Sequence, residues 1–344
     1  MKKALVAMSG GVDSSVCAAL ILDKGFEACG VTMRLFCAGD KDIEDAKAVC
    51  DRLGIPHTVA DMTGDFEKNV ICRFVDAYEK GITPNPCIDC NRFMKFGALF
   101  DAAEELGCSH IVTGHYARVE QVGDRFLLKK GLDESKDQSY VLYSLTQKEL
   151  SRVLLPLGEL TKSRARELAS ELGFENSDKK DSQDICFVPD GDYAAFIENF
   201  TGKTYPEGNF VDEQGNILGT HRGIIRYTIG QRKGLGLSLP APLYVKTKNV
   251  DTNEVLLCPN EGLFTDTLVA NAFNWIAFDP PKAEFRAYVK TRYSARPAAA
   301  TVIPIDDTSV KVVFDQPQRA ITPGQAAVLY DGDVVIGGGT IVPA

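Results

Sequence analysis

The sequence predicts an α/β domain built on a parallel sheet, followed by a small β-rich module and a C-terminal β-barrel. Up to about residue 200, apolar strand-like runs alternate with helix-like segments, which is the pattern of a parallel sheet covered on both faces. Short runs punctuated by Gly and Pro follow, and longer alternating strands spaced as in a β-barrel then repeat to the end. The predicted domains are 1–200, 201–265 and 266–344.

Hydrophobic periodicity assigns the elements within this plan. In the first domain we predict strands at 4–8, 28–35, 57–60 and 110–114, and helices at 16–22, 43–53, 66–78, 93–106, 161–172 and 193–200. A hairpin at 118–131 and polar loops at 134–138 and 179–184 complete this domain. In the rest of the chain we predict strands at 209–212, 223–228, 243–246, 285–293, 310–314, 326–330 and 334–336. Parallel sheets bind ligands at the carboxyl ends of their strands, so the end of 110–114 should face the ligand.

Composition and charge restrict the class of protein. No apolar run approaches the ~18 residues of a membrane span, and Met1-Lys2-Lys3 leads straight into a strand, so we expect a cytoplasmic protein with no membrane partner. A net charge of −9 argues against nucleic-acid binding. However, no carboxylate lies between Glu213 and Asp251, and 282–296 is a second basic stretch. These stretches are either solvated faces or surfaces for a nucleic acid.

A turn sized for a phosphate joins the first strand to the first helix. It reads Ser9-Gly10-Gly11-Val12-Asp13-Ser14-Ser15. The glycines permit left-handed torsions and close approach, the two last serines should cap the helix, and the helix N-terminus favours an anion. Neither the Walker loop nor the dinucleotide fingerprint fits, and an ordinary Gly-Ser turn is the alternative. The run resembles the loop of the ATP pyrophosphatases, which implies a PP-loop, HUP-like domain with Asp13 as a Mg²⁺ ligand.

Three cysteines are candidates for sulfur or metal chemistry. Cys87 and Cys90 form a Cys-x-x-Cys motif after two prolines, and Cys186 follows a polar loop. Asn91 should cap a helix beginning near Arg92, which would place Cys90 by a positive helix end and lower its pKa. A redox pair, half a zinc site and, for Cys186, a core thiol are the alternatives.

These features together carry a resemblance that covers essentially the whole chain. The chain resembles the tRNA-specific 2-thiouridylases of the MnmA/TrmU family. The matching motifs are Ser9–Ser15, Asn85-Pro86 with Cys90-Asn91, Thr113–Tyr116, Lys136–Gln138, Ser182–Phe187, Ile229–Gly236 and Arg292–Ser294. The resemblance implies ATP-dependent replacement of the C2 oxygen of the wobble uridine of tRNA by sulfur, through an adenylated intermediate. It also implies an upstream sulfur donor, such as a cysteine desulfurase or a relay protein.

The resemblance also assigns site residues. The expected ATP-binding residues are Ala7, Met8, Ser9, Gly10, Gly11, Val12, Asp13, Ser14, Met33 and Gly114. The expected tRNA-binding residues are Asn85, Pro86, Cys87, His115, Lys136, Asp137, Gln138, Arg292, Tyr293 and Gln325. Asn85 and Pro86 should adjoin the target base, which must leave the anticodon stack to react. The two basic stretches then become surfaces that face tRNA.

Cys87 departs from the best-known form of the family, which has an Asp at this position. That form is described with the counterpart of Cys90 as nucleophile and the counterpart of Cys186 as persulfide carrier, the two closing a disulfide. Here we predict Cys87, Cys90, Cys186 and Asp13 as catalytic, and the three cysteines as ligands of a [4Fe–4S] cluster with one open iron. The persulfide route without a cluster is the alternative, and zinc is a weaker one.

Two rival functions follow from the same motifs. The first is an ATP pyrophosphatase that attacks the adenylated carbonyl with nitrogen, such as a lysidine synthetase or an amidotransferase-type synthetase. The second is a tRNA-binding or sulfur-relay protein without catalysis of its own.

Overall fold

The computed structural model describes residues 2–36, 39–174 and 185–343. In the first domain the strands are β1 (Lys3–Ala7), β2 (Glu27–Arg34), β3 (His57–Asp61), β4 (His110–Val112), β5 (Ala117–Val122), β6 (Arg125–Lys130) and β7 (Val153–Leu154). Five of them form a parallel sheet in the order β3-β2-β1-β4-β7. The predicted parallel sheet is therefore confirmed, with β7 as an additional short strand.

The central strand β1 is buried on both faces, as a continuous apolar run predicts. Leu5 packs into the core on one side of the sheet, whereas Ala4 and Val6 pack into the core on the other side. All three side chains are fully buried. The loop that leaves β1 is thereby fixed to the middle of the sheet.

The helices cover the two faces of this sheet and extend to residue 201. They are α1 (Val12–Asp23), α2 (Asp40–Leu53), α3 (Thr63–Phe66), α4 (Cys72–Glu79), α5 (Pro86–Asp89), α6 (Leu99–Glu105), α7 (Gln147–Leu150), α8 (Lys162–Glu171) and α9 (Tyr193–Thr201). Wider π-helical turns at Glu67–Ile71 and Cys90–Ala98 join α3 to α4 and α5 to α6. No helix in the described ranges is long and apolar enough to cross a membrane. The predicted loop at 179–184 lies outside the described residues.

The middle module is a four-stranded sheet. Its strands are β8 (Gly208–Val211), β9 (Ile217–His221), β10 (Tyr244–Asn249) and β11 (Glu254–Cys258), in the order β10-β11-β8-β9. The predicted strand at 223–228 is wrong: Ile224–Arg226 form one 3₁₀ turn. Gly223 directly before it adopts a φ of 97° against Tyr205, so the chain turns at that point.

The C-terminal part is a closed barrel of six strands. They are β12 (Phe264–Trp275), β13 (Phe285–Lys290), β14 (Ala298–Asp306), β15 (Ser309–Arg319), β16 (Ala326–Asp331) and β17 (Val334–Ile341). The strand order is β12-β15-β14-β13-β16-β17, and pairing of β12 with β17 closes the barrel. The β5–β6 hairpin of the first domain joins this sheet where Lys129 pairs with Val334. The barrel is thus attached directly to the first domain.

Candidate active site

The loop from Ser9 to Ser15 forms an open cradle at the N-terminus of α1. Gly10 has a φ of 69°, and a Cβ there would lie 2.4 Å from the carbonyl oxygen of Asp42, so this position requires glycine. Gly11 is the N-cap and has no side chain with which to cover the amides of the first turn. Such uncovered amides attract anions.

The two serines of this loop do not cap the helix, so that prediction is wrong. The helix begins at Val12, four residues earlier than predicted, which places both serines inside its first turn. The hydroxyls of Ser14 and Ser15 donate back to the carbonyl oxygen of Gly11 at 3.0 and 2.9 Å. Ser14 Oγ also accepts from the amide of Ser9 at 3.2 Å. The serines therefore close the loop on itself.

Gly114 and Met33 lie at the same edge of the sheet as this loop. Gly114 follows β4, and a Cβ there would lie 3.0 Å from the Cβ of Asp13 and 3.4 Å from the amide of Ser14. Met33 lies near the carboxyl end of β2, opposite Ala60 of β3. The predicted nucleotide residues are therefore gathered at the carboxyl ends of the parallel strands, where such sheets bind ligands. Their contacts with ATP remain predictions.

Asp13 is held by two residues from distant parts of the chain. The ammonium of Lys162 lies 2.8 Å from each carboxylate oxygen, and the hydroxyl of Tyr116 donates to Oδ1 at 2.9 Å. Lys162 is 8% exposed, although it opens helix α8. The sequence contained one signal for it, because a lysine in the first turn of a helix opposes the helix dipole and therefore needs another reason to be there.

Cys87, Cys90 and Cys186 share one electrostatic environment. Cys87 and Cys90 are one helical turn apart, on α5 and at the start of the following π-helical segment. Burial raises the pKa of both thiols, the ammonium of Lys95 opposes this rise, and a charge on Cys186 adds to it. The Cys87 side chain is nonetheless exposed to solvent.

The predicted environment of Cys90 is wrong. Asn85, not Asn91, is the capping residue: its side chain accepts from the amide of Cys87 at 3.1 Å, and the helix begins at Pro86. Asn91 is buried and donates to the carbonyl oxygen of Val141 at 3.1 Å. Cys90 therefore lies inside a continuous helical stretch, and burial raises its pKa to about 11.

The cysteines do not converge on a metal-binding geometry. Within 2–36, 39–174 and 185–343, no three His, Cys, Asp or Glu side chains are grouped so that they could hold a metal ion. In this arrangement the three thiols do not fit a bound [4Fe–4S] cluster. Ser182–Asp184, which precede Cys186 in its motif, lie outside the described residues.

His115 connects the phosphate loop to the cysteines. Its ring is buried beside Gly114, with Thr113 Oγ1 at 2.8 Å from Nδ1 and Lys95 Nζ at 3.5 Å from Nε2. Burial and the neighbouring ammonium hold the pKa of His115 well below its usual range, so the imidazole is neutral. Lys95 thus lies between His115 and the thiols, a position that the sequence did not assign to it.

Hydrogen bonds to neighbouring residues hold the segment Lys136–Gln138 in place. Asp137 accepts from the amides of Gly131 and Ser139 at 3.2 and 3.0 Å. Gln138 accepts from the amide of Tyr116 at 3.0 Å. These contacts hold the segment against the hairpin, and its contacts with tRNA remain predictions.

The barrel contacts the chain segment that precedes Cys87. Gln325 Nε2 donates to the carbonyl oxygens of Thr83 and Pro84 at 2.8 and 3.2 Å, directly before Asn85. Arg292 donates to the carbonyl oxygens of Ile229 and Ala320 at 3.0 and 3.2 Å, which ties the middle module to the barrel. Gln325 therefore supports the segment before Asn85, and Arg292 supports the contact between the middle module and the barrel.

Tyr293 follows strand β13 of the barrel and interacts electrostatically with Cys87. Its ring is 44% exposed. Burial, and then the charges of Asp137 and Cys87, raise the pKa of Tyr293, while Lys136 opposes the rise. The partly exposed side chain of Tyr293 is thus near enough to Cys87 for the two to interact electrostatically.

Comparisons with known proteins cover all three parts of the chain. Residues 2–190 match the tRNA methyl transferase HUP domain, residues 194–259 the tRNA methyl transferase PRC-barrel domain and residues 265–341 the aminomethyltransferase beta-barrel domain. The tRNA-specific 2-thiouridylase MnmA of Clostridium botulinum (strain Alaska E43 / Type E3) is 47% identical over 352 residues, covering 99% of this chain and 98% of that protein. This chain belongs to the MnmA family of tRNA-specific 2-thiouridylases. The MnmA of Acetivibrio thermocellus is likewise 47% identical over 355 residues, with 99% of both chains covered.

Solved structures similar to this MnmA family member are more distant. A 4-thiouridine synthetase in complex with RNA and bound ATP has a TM-score of 0.40 at 22% identity, covering 58% of this chain and 50% of that one. The U34-tRNA thiolase NcsA from Methanococcus maripaludis with its [4Fe-4S] cluster has a TM-score of 0.35 at 18% identity, covering 58% of this chain and 64% of that one.

Proposed function

We propose that this protein catalyses the ATP-dependent 2-thiolation of the wobble uridine, U34, of tRNA in the cytoplasm. The observation that carries the proposal is a series of neighbouring residues that runs from the phosphate cradle to the thiols. Asp13 in the cradle packs on Gly114, the next residue His115 faces Lys95, and the ammonium of Lys95 acts on Cys87 and Cys90. A site that activates an oxygen with ATP and then replaces it with sulfur requires a phosphate-binding loop and thiols next to each other.

The cradle suits the activation step. The C2 oxygen of uridine attacks the α-phosphorus of ATP, the bond from that phosphorus to the bridging oxygen breaks, and pyrophosphate leaves. The uncovered amides at the start of α1 would hold the pyrophosphate. Mg²⁺ would compete with Lys162 for the carboxylate of Asp13, and the released ammonium would then lie beside the phosphates. AMP becomes the leaving group at C2.

The thiols suit the sulfur step. A sulfur nucleophile attacks the activated C2, the bond from C2 to oxygen breaks, and AMP leaves. Because burial raises the pKa of Cys90 to about 11, this residue is a protonated thiol at neutral pH in the free protein. It must lose that proton when substrate, persulfide or metal arrives, and Lys95 is the cation that favours the loss.

The route of sulfur to Cys87, Cys90 and Cys186 has two forms. A [4Fe–4S] cluster on all three cysteines would supply an open iron for the donated sulfur, but the thiols must first come closer together than they lie here. In the alternative, a donor protein leaves a persulfide on Cys186, and Cys90 completes a disulfide as sulfur passes to the uridine. Cys87 then has no metal role. Either form needs an upstream sulfur donor.

One experiment separates these forms. Iron and acid-labile sulfide are measured in protein purified without oxygen, beside thiolation of U34 in a tRNA transcript by nucleoside mass spectrometry. About four irons per chain, lost in Cys87→Ala, Cys90→Ala and Cys186→Ala but kept in Cys72→Ala, establish the cluster. Cys72 is the matched control because it is exposed and belongs to α4, outside the site. Iron-free protein that thiolates tRNA from a persulfide donor establishes the alternative.

Two further outcomes would overturn the proposed function itself. Conversion of ATP to AMP that survives Cys90→Ala together with transfer of an amine would indicate a nitrogen-transferring pyrophosphatase. Absence of tRNA-dependent AMP formation, with ATP, Mg²⁺, tRNA and sulfur donor all supplied, would indicate a tRNA-binding or sulfur-relay protein.

A further inference from the structure

Lys290 lies between two aromatic rings at the seam of the barrel and the first domain. It is the last residue of β13, and its ammonium lies 5.6 Å from the ring centre of Tyr140 and 5.7 Å from that of Tyr293. The two rings are 6.1 Å apart with an edge-on orientation. Tyr140 belongs to the first domain and Tyr293 to the barrel, so the ammonium is held by cation–π contacts from both sides.

This ammonium lacks a hydrogen-bonding partner in the part of the chain that the structure describes. No ion pair or hydrogen bond joins the ammonium of Lys290 to a described residue, and the acidic group that acts on it is Asp137. That carboxylate is already engaged with the amides of Gly131 and Ser139 and with the hydroxyl of Ser139. A half-buried cation without an acceptor is costly unless a ligand supplies one.

The surroundings of Lys290 are those of an anion site. Lys130 lies near enough to disfavour its charge and stands 4.7 Å over the ring of Tyr330. Lys136 is near enough to Tyr293 to oppose the rise in the pKa of that residue. The ammonium groups of Lys130 and Lys290 thus lie near each other, while the carboxylate that acts on Lys290 is already engaged, which favours a negative ligand.

Tyr140 and Tyr293 link this site to the reaction. The Tyr140 hydroxyl donates to the carbonyl oxygen of Ala326 at 3.0 Å. Ala326 is next to Gln325, which contacts Pro84 before Asn85.

The half-exposed ring of Tyr293 is under the influence of both Lys136 and Cys87. Exposed aromatic rings in RNA-binding proteins stack on unpaired bases, and nearby lysines contact the backbone phosphates of the same strand. When a base stacks on such a ring, the phosphate of the next nucleotide in the strand lies within reach of a cation beside the ring.

We propose that Lys290 binds a backbone phosphate that flanks the target uridine, while Tyr293 stacks on the base of the adjoining nucleotide. This inference rests on the proposed function, because it takes tRNA as the substrate. Lys290 and Tyr293 then hold the strand next to the reacting nucleotide, so that its base can turn towards Cys87. The ring of Tyr140 holds the ammonium of Lys290 in place before the RNA arrives.

The first test measures binding of an anticodon stem–loop RNA at several salt concentrations. Lys290→Met keeps the length and packing of the side chain but removes its charge. We expect about tenfold weaker binding, and a salt dependence whose slope falls by about 0.7, the value for one phosphate contact on a single strand. Lys290→Arg should restore both. Lys311→Met is the matched control, since Lys311 is exposed on β15 of the same barrel and lies outside both basic stretches.

The second test locates the contact. Single methylphosphonate linkages are placed in turn around U34 of the same RNA, so that one phosphate charge is removed at a time. Wild-type protein should lose about tenfold in affinity at one flanking position, and Lys290→Met should lose nothing further there. Lys290→Gln serves as a second charge-free variant if thermal unfolding shows that the methionine variant is not folded.

The outcomes distinguish this inference from the proposed function. If wild-type protein binds and thiolates tRNA, but both charge-free variants keep its affinity, salt slope and response to every methylphosphonate, Lys290 does not bind a phosphate and the thiolase assignment stands. If wild-type protein binds no tRNA at any salt concentration, the role of Lys290 and the proposed function are both wrong.

Discussion

The ammonium of Lys162 lies 2.8 Å from both carboxylate oxygens of Asp13, although 149 residues separate the two in the chain. The pair places a cation and an anion at the mouth of the phosphate cradle. Such an arrangement neutralises Asp13 when no metal is bound and keeps an ammonium close to the loop that is proposed to bind the phosphates of ATP. Asp13 alone would have neither effect.

We therefore predict that Lys162→Met lowers tRNA-dependent pyrophosphate release by about 100-fold, the usual effect of removing one preorganised cationic or hydrogen-bonding group from a reacting phosphate. Lys162→Arg should retain part of the rate. Arg164→Gln, in the same helix but exposed and paired with Glu167 and Glu171, should keep the wild-type rate. An unchanged rate in Lys162→Met would show that the lysine only supports the fold.

Gly114→Ala should weaken ATP binding. A methyl group there would lie 3.0 Å from Asp13 Cβ and 3.3 Å from the backbone carbon of the same residue, so the phosphate loop must shift. Overpacking of this size costs about 1–3 kcal/mol, which predicts a dissociation constant for ATP about 5-fold to 150-fold higher by calorimetry if the whole cost falls on binding. In Gly64→Ala the new methyl group enters open space, and ATP affinity should not change. Equal affinities in both variants would contradict a tight contact at Gly114.

Alkylation of Cys90 should increase with pH over an unusually long range. Since burial raises its pKa to about 11, the thiolate fraction grows about tenfold per pH unit from pH 7 to pH 10. Peptide mass spectrometry after iodoacetamide treatment measures this rate in the free protein, with exposed Cys72 alkylated in the same sample for comparison. A Cys90 rate that levels off below pH 9 would mean that Lys95 outweighs burial.

Lys248→Met should stabilise the protein. Lys248 Nζ is buried without a hydrogen-bond partner among the described residues and stands 5.6 Å over the ring of Tyr78, at the contact of the middle module with α4. Burial lowers its pKa to about 8 from its ordinary 10.5. At pH 7 the folded protein holds a costly charge, and removing it should raise the free energy of unfolding by roughly 1–3 kcal/mol.

The pH dependence supplies an independent check on Lys248. Between pH 8 and 10.5 the unfolded chain binds more protons at this residue than the folded protein does, so its effect on the unfolding free energy becomes more favourable as pH rises. Denaturant unfolding of wild type should show this increase relative to Lys248→Met. Lys246→Met, which removes a paired lysine from the same strand, should not stabilise the protein.

Local patterns in the sequence determined the order of domains and the phosphate loop. The apolar run at Ala4–Met8 and the following Gly10-Gly11 turn act over a few residues, so their structure follows from backbone torsions and burial of one strand. The same holds for the alternating strands of the barrel. The family resemblance was also present in short motifs, and it is confirmed by the relatives that match the whole chain.

Predictions from local sequence patterns were wrong where two sequence signals competed for the same turn or helix start. Ser14 and Ser15 are good caps, yet the helix starts earlier because Gly11 already occupies the N-cap. Asn91 is an equally good cap, but Asn85 followed by Pro86 begins the helix first. At 223–228 the apolar residues suggested a strand, whereas the positive φ of Gly223 made a turn. In each case a neighbouring residue decided the outcome.

Only the tertiary structure decided how distant groups meet and which charge state they favour. It placed Lys162 on Asp13, Gln325 at the approach to Asn85, and Lys290 between rings from two domains. It also reversed the direction expected for the pKa of Cys90, because burial outweighs any helix end. These properties depend on which surfaces exclude water from one another after folding, and desolvation acts between groups that no local spacing in the chain relates.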